Sequence, residues 1–299
     1  MATPERLTSD ATAPEPAPND AYTAFWNDVL VPKFERFRNI MMTGLSLHSE
    51  VPLGRLALAP GARALDVGCG WGDTALELAR KVGPTGSVLG LDCCDAFLEK
   101  GRADAASEGL ANVRFVAADV ETYPFTPTFD FAFSRFGTMF FANPVAAMRN
   151  VRKALKPGAT FMFIAWRTID DNPFLGMPKQ VVSRYLPPPG EDAQTCGPGP
   201  FSMANPGTVT AQLRAAGFEM LDHVRVDGDV MIGADLAQAV DFQLALGPAG
   251  EIVREAGPAA EGRRAEIEAA LRAALEPHAR GDGVWMMSSS WTYTARNPG

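Results

Sequence analysis

Between Tyr22 and Leu58 the apolar positions Phe25, Trp26, Val29, Leu30, Phe34, Phe37, Ile40 and Met41 recur at spacings of three and four. That is the period of amphipathic helices, punctuated here by Pro32 and Pro52. From Ala64 the pattern changes to short apolar runs that end in glycine or aspartate. Residues 64–67 read as a strand, and Ala75, Leu76, Leu78, Ala79 and Val82 continue it as a helix. The alternation then repeats, with strands over 87–91, 113–117, 129–134 and 159–166 and helices over 96–107 and 144–155. Five strands alternating with helices predict a parallel sheet covered on both faces.

Past Trp166 the periodicity lapses. The segment 170–206 contains Pro187-Pro188-Pro189-Gly190 and Gly197-Pro198-Gly199-Pro200. A long irregular stretch of this kind is expected to be a lid or a linker. Regular patterns return as a helix over 208–216 closed by Gly217, a strand over 218–226, helices over 235–246 and 259–275, and a last strand over 284–294. No internal repeat marks a solenoid.

Composition narrows the classes. The 299 residues suffice for one large domain or two small ones, and 46% hydrophobic against 21% charged residues is a globular balance. No apolar run is long enough to span a bilayer, so no stable membrane insertion is expected. A net charge of −8, with no Lys/Arg-rich stretch, opposes nucleic acid as a partner. Cys69, Cys93, Cys94 and Cys196 show neither CxxC nor Cys/His ligand spacing, so neither a disulfide framework nor a metal site is expected. Residues 1–20 are rich in Pro, Ala and Thr and lack a charged head before an apolar core; they read as a disordered tail, with the cytoplasm as default compartment. Nothing fixes the oligomeric state.

The chemistry gathers at Asp66-Val67-Gly68-Cys69-Gly70-Trp71-Gly72, between the first core strand and its helix. Glycines there allow a sharp turn and let a ligand touch backbone, and the following helix offers free N–H groups. The spacing G-x-G-x-G differs from the G-x-G-x-x-G of dinucleotide sites, which disfavours an NAD-type oxidoreductase. Asp92 ends the second strand, where a carboxylate can accept from ribose hydroxyls. Asp119, followed by Val120, ends the third, where it could accept from an adenine amino group or cap a helix.

The runs Ala64-Leu65-Asp66-Val67-Gly68-Cys69-Gly70-Trp71-Gly72, Gly90-Leu91-Asp92, Ala118-Asp119-Val120, Phe133-Ser134-Arg135-Phe136-Gly137 and Leu155-Lys156-Pro157-Gly158-Ala159 resemble, in order, the motifs of class I S-adenosylmethionine-dependent methyltransferases. The likeness extends to the ubiquinone/menaquinone-type group. It implies an α/β fold: a Rossmann-like doubly wound seven-stranded sheet, mostly parallel with its last strand antiparallel. A helical cap over 21–58 and a domain over 59–299, with a lid insertion at about 170–206, complete that expectation. It further implies that Gly68, Cys69 and Gly70 face the methionine part of S-adenosyl-L-methionine, with Asp66 supporting its ammonium group. Asp92 would hold the ribose, Cys93 would flank the adenine, and Asp119 with Val120 would hold the adenine edge. Ser134 and Arg135 would lie by the sulfonium. The pair Cys93-Cys94 departs from the commoner pattern of an Asp followed by a variable residue and Ser or Thr.

Methyl transfer from an activated sulfonium needs positioning more than acid–base help. The expected function is therefore in-line displacement onto a small organic acceptor in a covered apolar pocket, leaving S-adenosyl-L-homocysteine. Tyr22, Trp26, Met41, Phe136, Met139, Phe140, Phe174 and Tyr185 are the expected pocket residues. Of three histidines only His48 is a candidate base, and no base is assigned. The sequence leaves open which of O, N, C or S is methylated. A cofactor-binding scaffold or sensor without catalysis is the alternative.

Overall fold

The computed structural model describes residues 20–190, 193 and 197–299. The expected tail over 1–20 lies outside them except for Asp20, and so does Cys196.

Strands β1 (Arg63–Val67), β2 (Ser87–Asp92), β3 (Val113–Ala117), β4 (Phe129–Arg135) and β5 (Leu155–Trp166) pair in parallel, and β8 (Gly283–Arg296) joins them antiparallel. The order is β3-β2-β1-β4-β5-β8-β6, with β6 (Glu219–Gly233) paired to β8 alone. The sheet is thus doubly wound and mostly parallel, as expected, but has eight strands instead of seven. The extra one, β7 (Ala279–Arg280), is a two-residue hairpin arm on β8, too short to leave a periodic trace. Central β1 buries Ala64, Leu65, Asp66 and Val67, which explains a continuous apolar run where a one-sided strand would alternate.

Helices α4 (Asp73–Val82), α5 (Asp95–Ser107) and α6 (Pro144–Ala154) cover the parallel strands. The order reverses between β1 and β4: from β1 the chain moves outward to β2 and β3, then returns across β1 to lay down β4 and β5. Loops leaving β1 and β4 therefore diverge and open a crevice at the carboxyl edge.

The amino-terminal helices close over that crevice. α1 (Asp20–Phe25) runs through a π-helical turn, Trp26–Leu30, into α2 (Val31–Arg36), and α3 (Arg38–Arg55) lies against β6, with the Cβ of Val230 3.5 Å from where a side chain on Gly44 would begin. Pro32 sits where the π-helical turn passes into α2, and Pro52 falls inside α3 without ending it. The segment 170–206, read as irregular, contains α7 (Pro173–Val182), whose Phe174, Leu175, Val181 and Val182 are buried. The carboxyl-terminal part adds α8 (Pro206–Ala215), α9 (Leu236–Ala245), α10 (Gly247–Ala256) and α11 (Pro258–Leu275). Among the described residues no helix is long and apolar enough to cross a membrane.

Candidate functional site

A cavity of about 510 Å³ fills the crevice. Strand order divides its walls. On one side stand the ends of β1, β2 and β3, through Gly68–Trp71, Asp92–Cys94 and Ala118–Glu121; on the other stand the end of β4, Trp166, α7, β6 and α9.

The first side is polar and pre-shaped. Gly68 and Cys69 donate their N–H groups to the Leu91 carbonyl at 2.7 and 3.2 Å, which bends the loop back over β2. Gly68 has φ +64, and a Cβ there would stand 3.1 Å from Gly137 Cα, so the loops after β1 and β4 meet only because both positions are glycine. Gly70 has φ +52 with nothing within 4 Å of its would-be Cβ; it lines the cavity, and its bare backbone is available to a ligand. Asp92 accepts from the N–H of Gly70 at 2.8 Å and of Cys94 at 2.9 Å; burial pushes its carboxyl up, and those two bonds hold it back. Asp119 accepts from the Glu121 N–H at 2.8 Å and lines the same wall as Val120.

Two expected cofactor residues lie behind the wall instead of on it. Asp66 is fully buried: one carboxylate oxygen accepts from Thr74 Oγ1 at 2.6 Å and the other, Oδ1, has no hydrogen-bond partner. Burial raises its pKa to about 7. Ser134 is likewise fully buried with an unpartnered Oγ, because inward positions of β4 face the core. Arg135 does line the cavity; it pairs with Asp73 at 2.5 Å and donates to Ser49 Oγ at 3.3 Å.

On the apolar side, Tyr22, Trp26, Met41, Phe136, Met139, Phe140 and Phe174 line the cavity. Tyr22 donates its hydroxyl to the Phe140 carbonyl, and the Trp26 ring meets Phe140 edge-on at 5.0 Å. Phe136 is the one non-glycine residue with positive φ, +59, among the described residues; its ring stacks on Trp166 at 3.9 Å. Tyr185 does not belong here. It follows α7 on the far side, where Arg263 lies over its ring at 5.1 Å. The sequence reading missed the partners supplied by β6 and α9, Val230, Ile232, Phe242 and Leu246, which carry no signal beyond ordinary hydrophobicity.

His48 is removed from the candidate bases. Its Nε2 is 2.8 Å from Ser288 Oγ and its Nδ1 is 2.8 Å from Ser290 Oγ. The single Ser288 proton goes to the Gly228 carbonyl at 2.7 Å, so Ser288 accepts from Nε2–H and Ser290 donates to Nδ1. The ring is a buried neutral tautomer with both nitrogens used, and burial lowers its pKa to about 4. It packs edge-on behind Phe136 and Trp166 at 5.6 and 4.9 Å, bracing the wall from outside the cavity.

The cap is fastened to the glycine loop. Trp71 donates its indole N–H to Glu35 of α2, packs on Phe97 at 5.1 Å, and lies under the Arg38 guanidinium.

Residues 64–158, less than half of the chain, match a family described as "Methyltransferase domain". A demethylmenaquinone methyltransferase of Staphylococcus aureus is 34% identical over 156 residues, which are 52% of this chain and 62% of the relative. The match thus spans less than two thirds of that protein's length. Among solved structures, a phosphoethanolamine N-methyltransferase 2 of Haemonchus contortus, bound to phosphomonomethylethanolamine and S-adenosylhomocysteine, aligns with TM-score 0.56 at 15% identity, over 93% of this chain and 61% of its own. A SAM-dependent methyltransferase from Aquifex aeolicus aligns with TM-score 0.50 at 22% identity, over 65% of this chain and 92% of its own. Both structural likenesses are of fold.

Proposed function

We propose that this chain, whose residues 64–158 match a methyltransferase domain, is a class I S-adenosylmethionine-dependent methyltransferase that transfers the methyl group of S-adenosyl-L-methionine to a small apolar organic acceptor in the cytoplasm. The observation that carries the reading is that one cavity is walled at once by Gly68–Gly70, Asp92, Asp119 with Val120, and Arg135, four stretches far apart in sequence.

The residues fit such a donor. The open backbone at Gly70 accommodates its amino-acid end, and the unpartnered Oδ1 of Asp66 beneath that loop suits an ammonium group, directly or through a water. Arg135, neutralised by Asp73, suits its carboxylate without adding net charge near a cation. The carboxylates of Asp92 and Asp119, which both line the cavity, suit the ribose hydroxyls and the adenine amino group as acceptors. When bound, the donor supplies a methyl already activated by its sulfonium. The chain's task is then to orient the acceptor in line with the carbon–sulfur bond and exclude water, which can supply about 7–11 kcal/mol of the barrier. Phe136, Trp166, Met139 and Phe140 form the apolar wall for that orientation, and Gly197–Phe201 line the same cavity just before Ser202, whose Oγ donates to the Met139 carbonyl at 2.8 Å. With both its nitrogens committed, His48 supplies no base.

Calorimetry with S-adenosyl-L-homocysteine on ligand-stripped protein tests the donor site: one molecule binds per chain, at least tenfold more weakly in Asp92→Ala and in Asp119→Ala. No heat in the wild type overturns the reading. Methyl transfer to any member of a panel of phenols, amines, quinones and thiols separates catalysis from a scaffold or sensor role.

A further inference from the structure

Outside the donor contacts just assigned, the densest group of soft ligand atoms is the adjacent pair Cys93 and Cys94. Successive side chains of an extended strand point apart, yet the chain bends as it leaves β2, and here the two sulfurs stand 3.7 Å from each other. Two thiolates on one tetrahedral zinc-class cation, each at about 2.3 Å, stand roughly 3.7–3.8 Å apart. The pair is therefore set at the span of a chelate. Asp92 supplies a third ligand: one donor atom from each of the three residues lies within 4.8 Å of the others. The N–H groups of Cys94 and Gly70 hold the Asp92 carboxylate at 2.9 and 2.8 Å beside the two thiols, and the hydrogen bond that it takes from the Cys94 thiol places a carboxylate oxygen next to that sulfur. All three residues line the cavity, which gives an ion an entry path and leaves a fourth position for water.

We propose that Asp92, Cys93 and Cys94 bind a soft divalent cation of the zinc–cadmium class, and that this cation excludes the methyl donor. On binding, each thiol gives one proton to solvent and each sulfur forms one bond to the cation; nothing is oxidised. Two thiolates and a carboxylate outweigh the roughly half positive charge that the α5 amino terminus places nearby. Sequence spacing missed the site because ligand searches look for cysteines separated by two or more residues, whereas the bend after β2 turns adjacent ones to the same side. Exclusion of the donor rests on the proposed function, since it takes Asp92 to serve both ligands; cation binding itself does not.

Cadmium ion is the probe, titrated into the ligand-stripped full chain and read by thiolate-to-metal charge-transfer absorption in the ultraviolet. The wild type should give a band that saturates at one ion per chain. Cys93→Ser and Cys94→Ser should each lose at least half its intensity and bind at least tenfold more weakly, while Cys69→Ser keeps it. In the wild type, cadmium should also block alkylation of the half-buried Cys93 by iodoacetamide, read by peptide mass spectrometry, a measurement that needs no folded variant. Saturating cadmium should weaken S-adenosyl-L-homocysteine at least tenfold in the wild type and leave it unchanged in Cys93→Ser. No band in the wild type, a band retained by both serine variants, or undiminished alkylation overturns the cation site. A normal band in a chain that gives no heat with the homocysteine product overturns the donor reading instead.

Discussion

Asp66 and His48 are both buried, both displaced from their ordinary pKa, and opposite in sign. His48 falls from 6.5 to about 4, so the unfolded chain holds more protons between those values and the fold gains stability as pH rises through them. Asp66 rises from 3.8 to about 7, so the folded chain holds more protons and loses stability as pH climbs over that range. Each contribution is on the order of 3 kcal/mol, and they largely cancel. Denaturant titrations between pH 4.5 and 6.5, a window of about two units, should therefore show a shallow slope in the wild type, stability falling with pH in His48→Gln, and stability rising with pH in Asp66→Asn. Parallel slopes in all three would refute the assignment. The same carboxyl governs ligand binding: an ammonium partner favours its ionised form, so S-adenosyl-L-homocysteine should bind more tightly as pH rises through about 7 and expel a proton below it. Calorimetry in buffers of different ionisation heat reads that proton, and Asp66→Asn should abolish it. Phe136 offers a different test. Its φ of +59 suits glycine, so Phe136→Gly should be about 1 kcal/mol more stable than Phe136→Ala, reversing the usual order of the two.

At the scale of elements, the sequence was most legible where a strand or helix carries its own pattern. The third strand was read over its observed span, and α4, α5 and α6 were found from their apolar stripes. What escaped were elements whose reason for existing lies elsewhere. The segment 170–206 read as irregular, yet α7 forms within it because Pro173 occupies its first turn and its apolar face is buried. Asn172, just before it, is fully buried: it donates to the Ser289 carbonyl at 3.0 Å and to the Thr168 carbonyl at 2.9 Å, and accepts from the Ser289 N–H at 2.8 Å. It thus staples the start of α7 to β8. Asn172→Ala leaves the Ser289 N–H unsatisfied, while the Ser289 carbonyl keeps the Arg167 N–H at 3.1 Å, and should cost about 2–3 kcal/mol. Asn205 only caps the exposed start of α8, accepting from Gly207 and Thr208, so Asn205→Ala should cost about 1 kcal/mol. Equal losses in chemical denaturation would mean that Asn172 is not the staple described.

Over the whole molecule, the cavity wall read as the donor's was legible as a set of residues at the ends of consecutive strands, where each motif carries its own punctuation. The apolar side was not, since it is assembled from the cap, β6, α7 and α9, and no local pattern says that they converge. Closure over this assembly predicts that S-adenosyl-L-homocysteine slows tryptic cleavage at exposed Lys179 and Arg184, within 170–206. Unchanged cleavage would argue against a lid. The place of β8 has a further consequence. It lies between β5 and β6, and β6 has no other neighbour, although β8 is the last strand in the chain. During synthesis, Arg63–Trp166 can pair in full while β6 waits unmatched for more than fifty residues to follow it. The serines that clamp His48 arrive on that late strand. The strands read as gripping the donor can thus pair in full before β6 has its partner, and a ribosome paused before Gly283 would hold them with the β6 part of the apolar wall still unpaired.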